Sequence, residues 1–127
     1  MKILIIEDDA VVAIMQKMWV SKSCNCNAEV FSNGLKAVNF LDSQVTDNPE
    51  ETYLILLDLN MPVMNGWEFL EVLKEKKYPN QISVVVVTSS MFKEDFERAK
   101  ESPFVIDFQN KPIGPNCLKK FVKEVKL

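Results

Sequence analysis

The segment Leu54-Ile55-Leu56-Leu57-Asp58 is an uninterrupted apolar run that ends on a carboxylate. Three other apolar runs lead to polar residues in the same way: Ile3-Leu4-Ile5-Ile6 into Glu7-Asp8-Asp9, Val84-Val85-Val86-Val87 into Thr88, and Phe104-Val105-Ile106 through Asp107 and Phe108 to Lys111-Pro112. Apolar runs without alternation are typical of parallel strands that helices cover on both faces. Because such strands end at the same edge of a sheet, these polar residues are predicted to face one crevice.

Strand and helix patterns alternate along the whole chain. Five βα units imply right-handed crossovers and a three-layer α/β/α sandwich. The predicted fold is α/β and flavodoxin-like, a (βα)5 domain whose five-stranded parallel sheet has the order 2-1-3-4-5. Strands are predicted near 2–6, 28–32, 53–57, 82–87 and 103–108, and helices near 9–22, 34–44, 65–76, 93–101 and 115–125.

The composition is that of one ordinary globular domain. With 127 residues, 47% of them hydrophobic and 26% charged, we expect a single domain over residues 1–127. The last helix pattern runs to the C-terminus, so we expect no output domain. No apolar run approaches the roughly 20 residues that span a bilayer, and no signal peptide is evident, so we expect a cytoplasmic protein without membrane contact. A net charge of −3 gives no reason to expect nucleic acid as a partner.

Missing residue types exclude several kinds of active site. The chain has no histidine, which excludes Ser-His-Asp and Cys-His catalysis and every histidine-based metal site. Its three glycines cannot form a phosphate-binding glycine-rich loop. Cys24, Cys26 and Cys117 are an odd number, which disfavours a disulfide framework. Cys24 and Cys26 alone would make a poor zinc site, so we interpret them as loop cysteines without a role.

The first predicted helix is more apolar than its packing requires. Its apolar side chains span an arc of about 160° at the pitch of an α-helix, whereas a stripe of about 100° suffices for packing on a sheet. The excess lies toward Val11, Ile14 and Met18. Simple over-coverage and a docking patch for a partner both remain open. The arc consists of Val11, Val12, Ile14, Met15, Met18 and Trp19.

The residues at the strand ends suggest phosphoryl chemistry. Asp58 is desolvated unless a group such as the Lys111 ammonium pairs with it, and Glu7 and Asp8 add two more negative charges nearby. A divalent cation would relieve their repulsion, and an oxygen-only donor set favours Mg²⁺. A carboxylate left free could attack phosphorus and form an acyl phosphate. Lys111 and the Thr88 hydroxyl could then hold the phosphoryl oxygens.

Each of these residues also has an ordinary structural explanation. Glu7-Asp8-Asp9 could cap the first helix and interact with its dipole. Thr88 could simply end a strand, Lys111 could be a surface lysine, and Phe108 could belong to the core. Their order along the chain, with a polar group at every predicted carboxyl end, is what favours a common site.

At this point the residues resemble a known family, the response-regulator receiver domains of two-component signalling, in a stand-alone, chemotaxis-receiver-like form. The resemblance covers essentially the whole chain. An acid followed by Met-Pro and, two residues later, Asn-Gly is rare outside this family. The motifs are Ile3-Leu4-Ile5-Ile6-Glu7-Asp8-Asp9, Leu57-Asp58-Leu59-Asn60-Met61-Pro62-Val63-Met64-Asn65-Gly66, Val87-Thr88-Ser89 and Lys111-Pro112.

The resemblance implies the acceptor and the metal ligands. Asp58 would be the phosphoacceptor. Glu7 and Asp8 would hold Mg²⁺ together with Asp58, with Asp8 the more direct ligand of the acidic pair, and Asn60 would contribute its backbone carbonyl.

The resemblance also implies the switch residues. Thr88 would move toward the phosphoryl group, and Lys111 would contact it, with a cis peptide before Pro112. Phe108 stands where the family keeps a Tyr or Phe whose rotamer follows the threonine, so a switch here would act by packing alone. Ser90, like Asn60, would modulate hydrolysis of the acyl phosphate.

The implied function is that of a phosphoacceptor. A partner phosphohistidine, on a sensor histidine kinase or a histidine phosphotransfer protein, would donate to Asp58 and so shift the fourth helix, fifth strand and fifth helix. We expect no enzymatic turnover beyond the protein's own phosphorylation and slow dephosphorylation. We also expect an unidentified downstream protein target and a monomer or weak dimer.

Two rival interpretations can be tested. A phosphohydrolase of the haloacid-dehalogenase type also uses an Asp nucleophile and Mg²⁺, but it needs a second Asp two residues later, where this chain has Asn60. A pseudo-receiver would keep the fold without accepting phosphate, and the intact set of signature residues argues against it.

Overall fold

The computed structural model describes residues 1–23, 27–89, 92–111 and 113–126. Cys24, Cys26, Ser90 and Pro112, about which predictions were made above, lie outside these described residues. Five strands alternate with five helices: β1 Lys2–Ile6, α1 Ala10–Ser23, β2 Asn27–Phe31, α2 Gly34–Val45, β3 Tyr53–Leu57, α3 Gly66–Lys76, β4 Ile82–Thr88, α4 Lys93–Lys100, β5 Val105–Asn110 and α5 Pro115–Lys126.

The strands form one parallel sheet in the order β2-β1-β3-β4-β5. This confirms the predicted flavodoxin-like topology. The central strands β1, β3 and β4 are almost wholly buried, which is why their sequences are continuous apolar runs. Each carboxyl end of these three strands therefore lies at one edge of the sheet.

Helices cover both faces of the sheet. One face packs against α2, α3 and α4 through a core that includes Leu41, Phe69 and Ala99. The opposite face packs against α1 and α5 through residues such as Val20 and Phe121. The three-layer sandwich predicted from the alternation is thus present.

The fifth strand departs from its predicted bounds. The predicted strand began at residue 103, but residues 101–104 form a turn and β5 runs from Val105 to Asn110. Val84 pairs with Val105 and the next residue of β4, Val85, pairs with Asp107, so Ile106 is an extra residue in a bulge.

The bulge changes which side chains face the core. Val105 and Phe108 are three residues apart, yet both pack on the face covered by α2, α3 and α4. In a regular strand, residues three apart point to opposite faces. The bulge therefore places Phe108 beneath α4 and leaves Ile106 44% exposed.

Candidate functional site

Two carboxylates lie at the carboxyl edge of the sheet, and backbone hydrogen bonds place both. The Glu7 amide donates to the Phe31 carbonyl at 2.9 Å, and the Asp58 amide donates to the Ile6 carbonyl at 3.0 Å. Each residue is only 3% exposed. The ends of β1 and β3 thus hold two ionisable groups side by side, out of contact with most of the solvent.

One ammonium lies between these carboxylates. Lys111 Nζ is 2.7 Å from Glu7 Oε1 and 3.1 Å from Asp58 Oδ2. The Lys111 amide also donates to the Thr88 carbonyl at 3.0 Å, which fixes the start of the side chain just beyond β5. Burial opposes the charge of Lys111, but hydrogen bonds to Glu7 and Asp58 outweigh it and raise the pKa of the ammonium.

A third carboxylate completes an acidic cluster. One oxygen each of Glu7, Asp8 and Asp58 lies within 4.8 Å of the others, with Asp8 exposed. Burial raises the pKa of Glu7 to about 7, although Lys111 and the Asp9 amide oppose the shift. When all three carboxylates are ionised, Lys111 offsets one of three negative charges and leaves two. A hard dication with oxygen ligands fits this donor set and this charge.

The loop after Asp58 is built around a close approach of two backbones. A Cβ on Gly66 would lie 2.6 Å from the Asp58 carbonyl oxygen and 2.8 Å from Leu59 Cα, closer than side-chain carbons come. Asn65 caps α3 in a capping box with Glu68, through bonds of 2.9 and 3.2 Å. The Asn-Gly of the motif therefore places the start of α3 directly against the backbone of Asp58.

Two other residues of this loop bear on the site. The backbone amide of the exposed Asn60 donates to Asp58 Oδ1 at 3.3 Å, so Asn60 lies directly beside the Asp58 carboxylate. Val63 has a φ of 75°. A β-branched residue in the left-handed region is a genuine outlier, and no sequence signal predicted it.

The predicted switch residues lie on neighbouring strands. Thr88 is fully buried at the end of β4, and its partner in the sheet is Asn110 of β5. Phe108 is half-buried, and its ring meets Phe96 of α4 edge-on, with centroids 5.6 Å apart. Phe108 thus connects the edge of the sheet to α4.

Comparisons with known proteins place these observations in one family. The family model described as "Response regulator receiver domain" matches residues 3–123. The chain belongs to this family. It is 34% identical over 95 residues to response regulator Rcp1 of Synechocystis, covering 73% of this chain and 65% of that protein.

Further relatives agree. The probable methanogenesis regulatory protein FilR2 of Methanothrix harundinacea is 29% identical and is matched over 98% of this chain and 80% of its own length. A two-component response regulator from Cytophaga hutchinsonii superposes with a TM-score of 0.87 at 26% identity, over 98% of this chain and 96% of that one. Several other relatives are longer, and the chain spans about half the length of two of them.

The receiver domain explains the cluster at the sheet edge. Receiver domains generally depend on Mg²⁺ and generally interact with histidine kinases or phosphotransfer proteins. The structure brings together Glu7, Asp8, Asp58 and Lys111, and it places Asn60 and Thr88 beside them. Asp9 has a structural task instead, since its side chain accepts hydrogen bonds from the amides of Val11 and Val12 at the start of α1.

The apolar excess on α1 of the receiver domain is exposed. Val11, Ile14 and Met18 are 66%, 67% and 47% exposed. The fully buried positions of α1 include Gln16 rather than Met15 or Trp19, which are half-buried. Within the described part of the chain, no helix is long and apolar enough to cross a membrane.

Proposed function

We propose that this receiver domain accepts a phosphoryl group on Asp58 from a phosphohistidine of a partner protein, with Mg²⁺ as cofactor. The observation that carries the proposal is the buried Asp58 carboxylate, held at 3.1 Å by Lys111 inside a cluster of three acids. Two further acids beside a buried carboxylate raise the energy of its charged form, so such a cluster is unfavourable unless cations balance it. Two negative charges beyond the single ammonium favour a dication.

The transfer needs no general base. An ionised Asp58 oxygen attacks phosphorus, the bond between phosphorus and the donor imidazole nitrogen breaks, and its electron pair stays on that nitrogen. Glu7, Asp8, Asp58 and the Asn60 carbonyl would hold Mg²⁺, which would neutralise charge on the phosphoryl oxygens. Lys111 gives up its contact with the Asp58 carboxylate for one with a phosphoryl oxygen.

The switch would then run through β4 and β5. A phosphoryl group on Asp58 adds about one to two negative charges and strong hydrogen-bond acceptors. The Thr88 hydroxyl would turn toward it, and the space that it leaves would admit Phe108, whose ring now touches Phe96 of α4. The surface of α4, β5 and α5 would carry the signal to a protein target or onward in a phosphate relay.

Hydrolysis of the acyl phosphate is the only turnover that we propose for the protein itself. Asn60, beside Asp58, would modulate its rate; Ser90 lies outside the described residues. The prediction that the protein acts in the cytoplasm and alone, without an output domain, stays a prediction.

Labelling with acetyl phosphate tests the acceptor. Incubation with acetyl phosphate and Mg²⁺ should add the mass of one phosphoryl group, and chelation of the metal or the Asp58→Asn substitution should prevent it. Asp47→Asn, in an exposed loop, is the matched control and should label normally. A labelled Asp58→Asn protein would contradict the assignment. Steady hydrolysis of a phosphate monoester would favour the phosphohydrolase instead.

Docking of the donor on α1 is a second part of the proposal. Val11, Ile14 and Met18 form an exposed apolar strip that begins next to the acidic crevice. Val11→Glu or Met18→Glu should slow transfer from a histidine kinase but leave acetyl phosphate labelling unchanged. Lys22→Glu, also exposed on α1, is the charge control. Equal slowing with both donors would indicate a folding defect and contradict docking at this strip.

A further inference from the structure

The fourth helix is held less firmly than its neighbours. Among the described residues, α4 fully buries only Ala99, whereas α1, α2, α3 and α5 each bury at least three residues. Its sequence is almost entirely charged, and the residue at its N-cap position, Phe92, has a side chain that cannot accept a hydrogen bond from the first turn. Burial contributes little to the position of α4, so individual side-chain contacts matter more there than in the other helices.

One such contact joins α4 to α3. The Arg98 guanidinium lies over the ring of Trp67, 4.3 Å from its centroid, which is a close cation–π arrangement. Beside it the two helices are separated by a cleft of about 190 Å³, lined also by Glu71, Lys74 and Glu101. The helices do not close on each other here, and the Arg98–Trp67 contact bridges the gap.

Trp67 is itself fixed relative to the phosphoacceptor. It follows Gly66, where an added Cβ would collide with the backbone of Asp58 and Leu59 and whose amide donates to the Leu59 carbonyl at 3.0 Å. The capping box of Asn65 and Glu68 holds the same turn of α3. A displacement of the loop after Asp58 should therefore also displace Trp67.

These contacts give α4 a connection to Asp58 that does not use Thr88 or Phe108. We propose that Arg98 and Trp67 are positioning residues, whose contact holds α4 in its resting place and thereby lowers the affinity of the crevice for a phosphoryl group. The inference rests on the proposed phosphoacceptor function.

The expected direction follows from linkage. A contact made only in the resting state stabilises that state, so its removal favours the state that binds the phosphoryl group. An exposed cation–π contact is worth a factor of about two to five in an equilibrium constant. A simple charge effect has the opposite sign, since loss of a cation weakens the binding of an anion.

Beryllofluoride, which forms a stable mimic of the acyl phosphate on a carboxylate, measures the affinity directly. In the presence of Mg²⁺, Arg98→Ala should bind it about two- to fivefold more tightly than the wild type, and Trp67→Phe should lie between the two. Lys74→Ala removes an equal charge from the same cleft without touching the ring and should not bind more tightly. Circular dichroism confirms that each variant is folded.

Tryptophan fluorescence provides a second measurement, which should not change if Arg98 and Trp67 only stabilise the fold. In a Trp19→Phe background, emission comes from Trp67 alone. It should change when beryllofluoride binds, and the ligand-free Arg98→Ala spectrum should already lie nearer the bound one. Unchanged or weaker beryllofluoride binding by Arg98→Ala, or equal tightening by Lys74→Ala, would overturn the inference. If the wild type itself does not bind beryllofluoride, the proposed function fails instead.

Discussion

Replacement of Val63 should stabilise the protein. The residue has a φ of 75° in the loop that follows Asp58, and it is 70% exposed. The left-handed conformation costs an L-residue other than Gly roughly 1–2 kcal/mol, and Asn tolerates it best among the others. The exposed side chain contributes little burial, on the order of 0.5 kcal/mol. We therefore expect Val63→Asn to raise the free energy of unfolding by about 1 kcal/mol.

Thermal unfolding followed by circular dichroism measures this gain. For a domain of this size, 1 kcal/mol corresponds to a rise in Tm of about 4 °C. Val63→Gly should gain less, because the added freedom of the unfolded chain costs about 0.4–1 kcal/mol. Val11 is similarly exposed but lies in a helix, so Val11→Asn should not raise the Tm. If Val63→Asn melts at or below the wild-type temperature, the conformation of Val63 carries no strain and the reasoning is wrong.

Three further predictions concern the loop, the metal and a surface network. Gly66→Ala should lower the free energy of unfolding by about 1–3 kcal/mol and slow labelling of Asp58, because the new Cβ would lie 2.6 Å from the Asp58 carbonyl oxygen. Gly114→Ala is the control: a Cβ there would meet nothing within 4 Å, so neither stability nor labelling should change. Mg²⁺ at ten times its Kd should stabilise the protein by about 1.4 kcal/mol in calorimetry. Asp8→Asn should lose this gain, and Asp9→Asn, which retains the helix cap, should keep most of it. Tyr78→Phe should destabilise the protein by about 1 kcal/mol at pH 7, because Tyr78 donates to Asp42 at 2.6 Å. That hydrogen bond lowers the pKa of Asp42, so its contribution to stability is complete above the pKa of Asp in the unfolded chain, near 4, and is lost as the pH falls further. The difference in denaturant midpoint between the wild type and Tyr78→Phe should therefore shrink below pH 4. A difference that stayed constant there would contradict this prediction.

The sequence predicted the sheet well because burial constrains its strands so strongly. A parallel strand covered on both faces is a nearly continuous apolar run, as in Leu54–Leu57 and Val84–Val87, and the polar residue that follows such a run marks its carboxyl end. Asp58 and Thr88 therefore mark the ends of β3 and β4 in the sequence itself. The polar cluster at the sheet edge follows from topology once the strands are known.

Features that depend on single-residue geometry or on distant contacts were not predictable. The bulge at Ile106 shifts the register by one residue without changing the composition of the segment. On α1, Met15 belongs to the apolar arc but is only half-buried, whereas the polar Gln16 is buried. The side-chain amide nitrogen of Gln16 has no hydrogen-bond partner among the described residues. The Arg98–Trp67 contact joins residues 31 positions apart, which no local pattern connects.

The three acids of the crevice differ in what their surroundings allow. Glu7 is buried and lies 2.7 Å from the Lys111 ammonium; burial raises the pKa of Glu7 to about 7, although Lys111 favours its charged form. Asp8 is exposed, so it can exchange water for a metal at little cost. Asp58 is buried, and its oxygens contact the Lys111 ammonium at 3.1 Å and the backbone amide of Asn60 at 3.3 Å. Glu7 and Asp58 both combine burial with a contact to Lys111, so this geometry does not separate them. We assign the acceptor role to Asp58 because it ends β3 and begins the Asp58-Leu59-Asn60-Met61-Pro62 segment through which the chain resembles receiver domains, and we assign supporting roles to the other two acids.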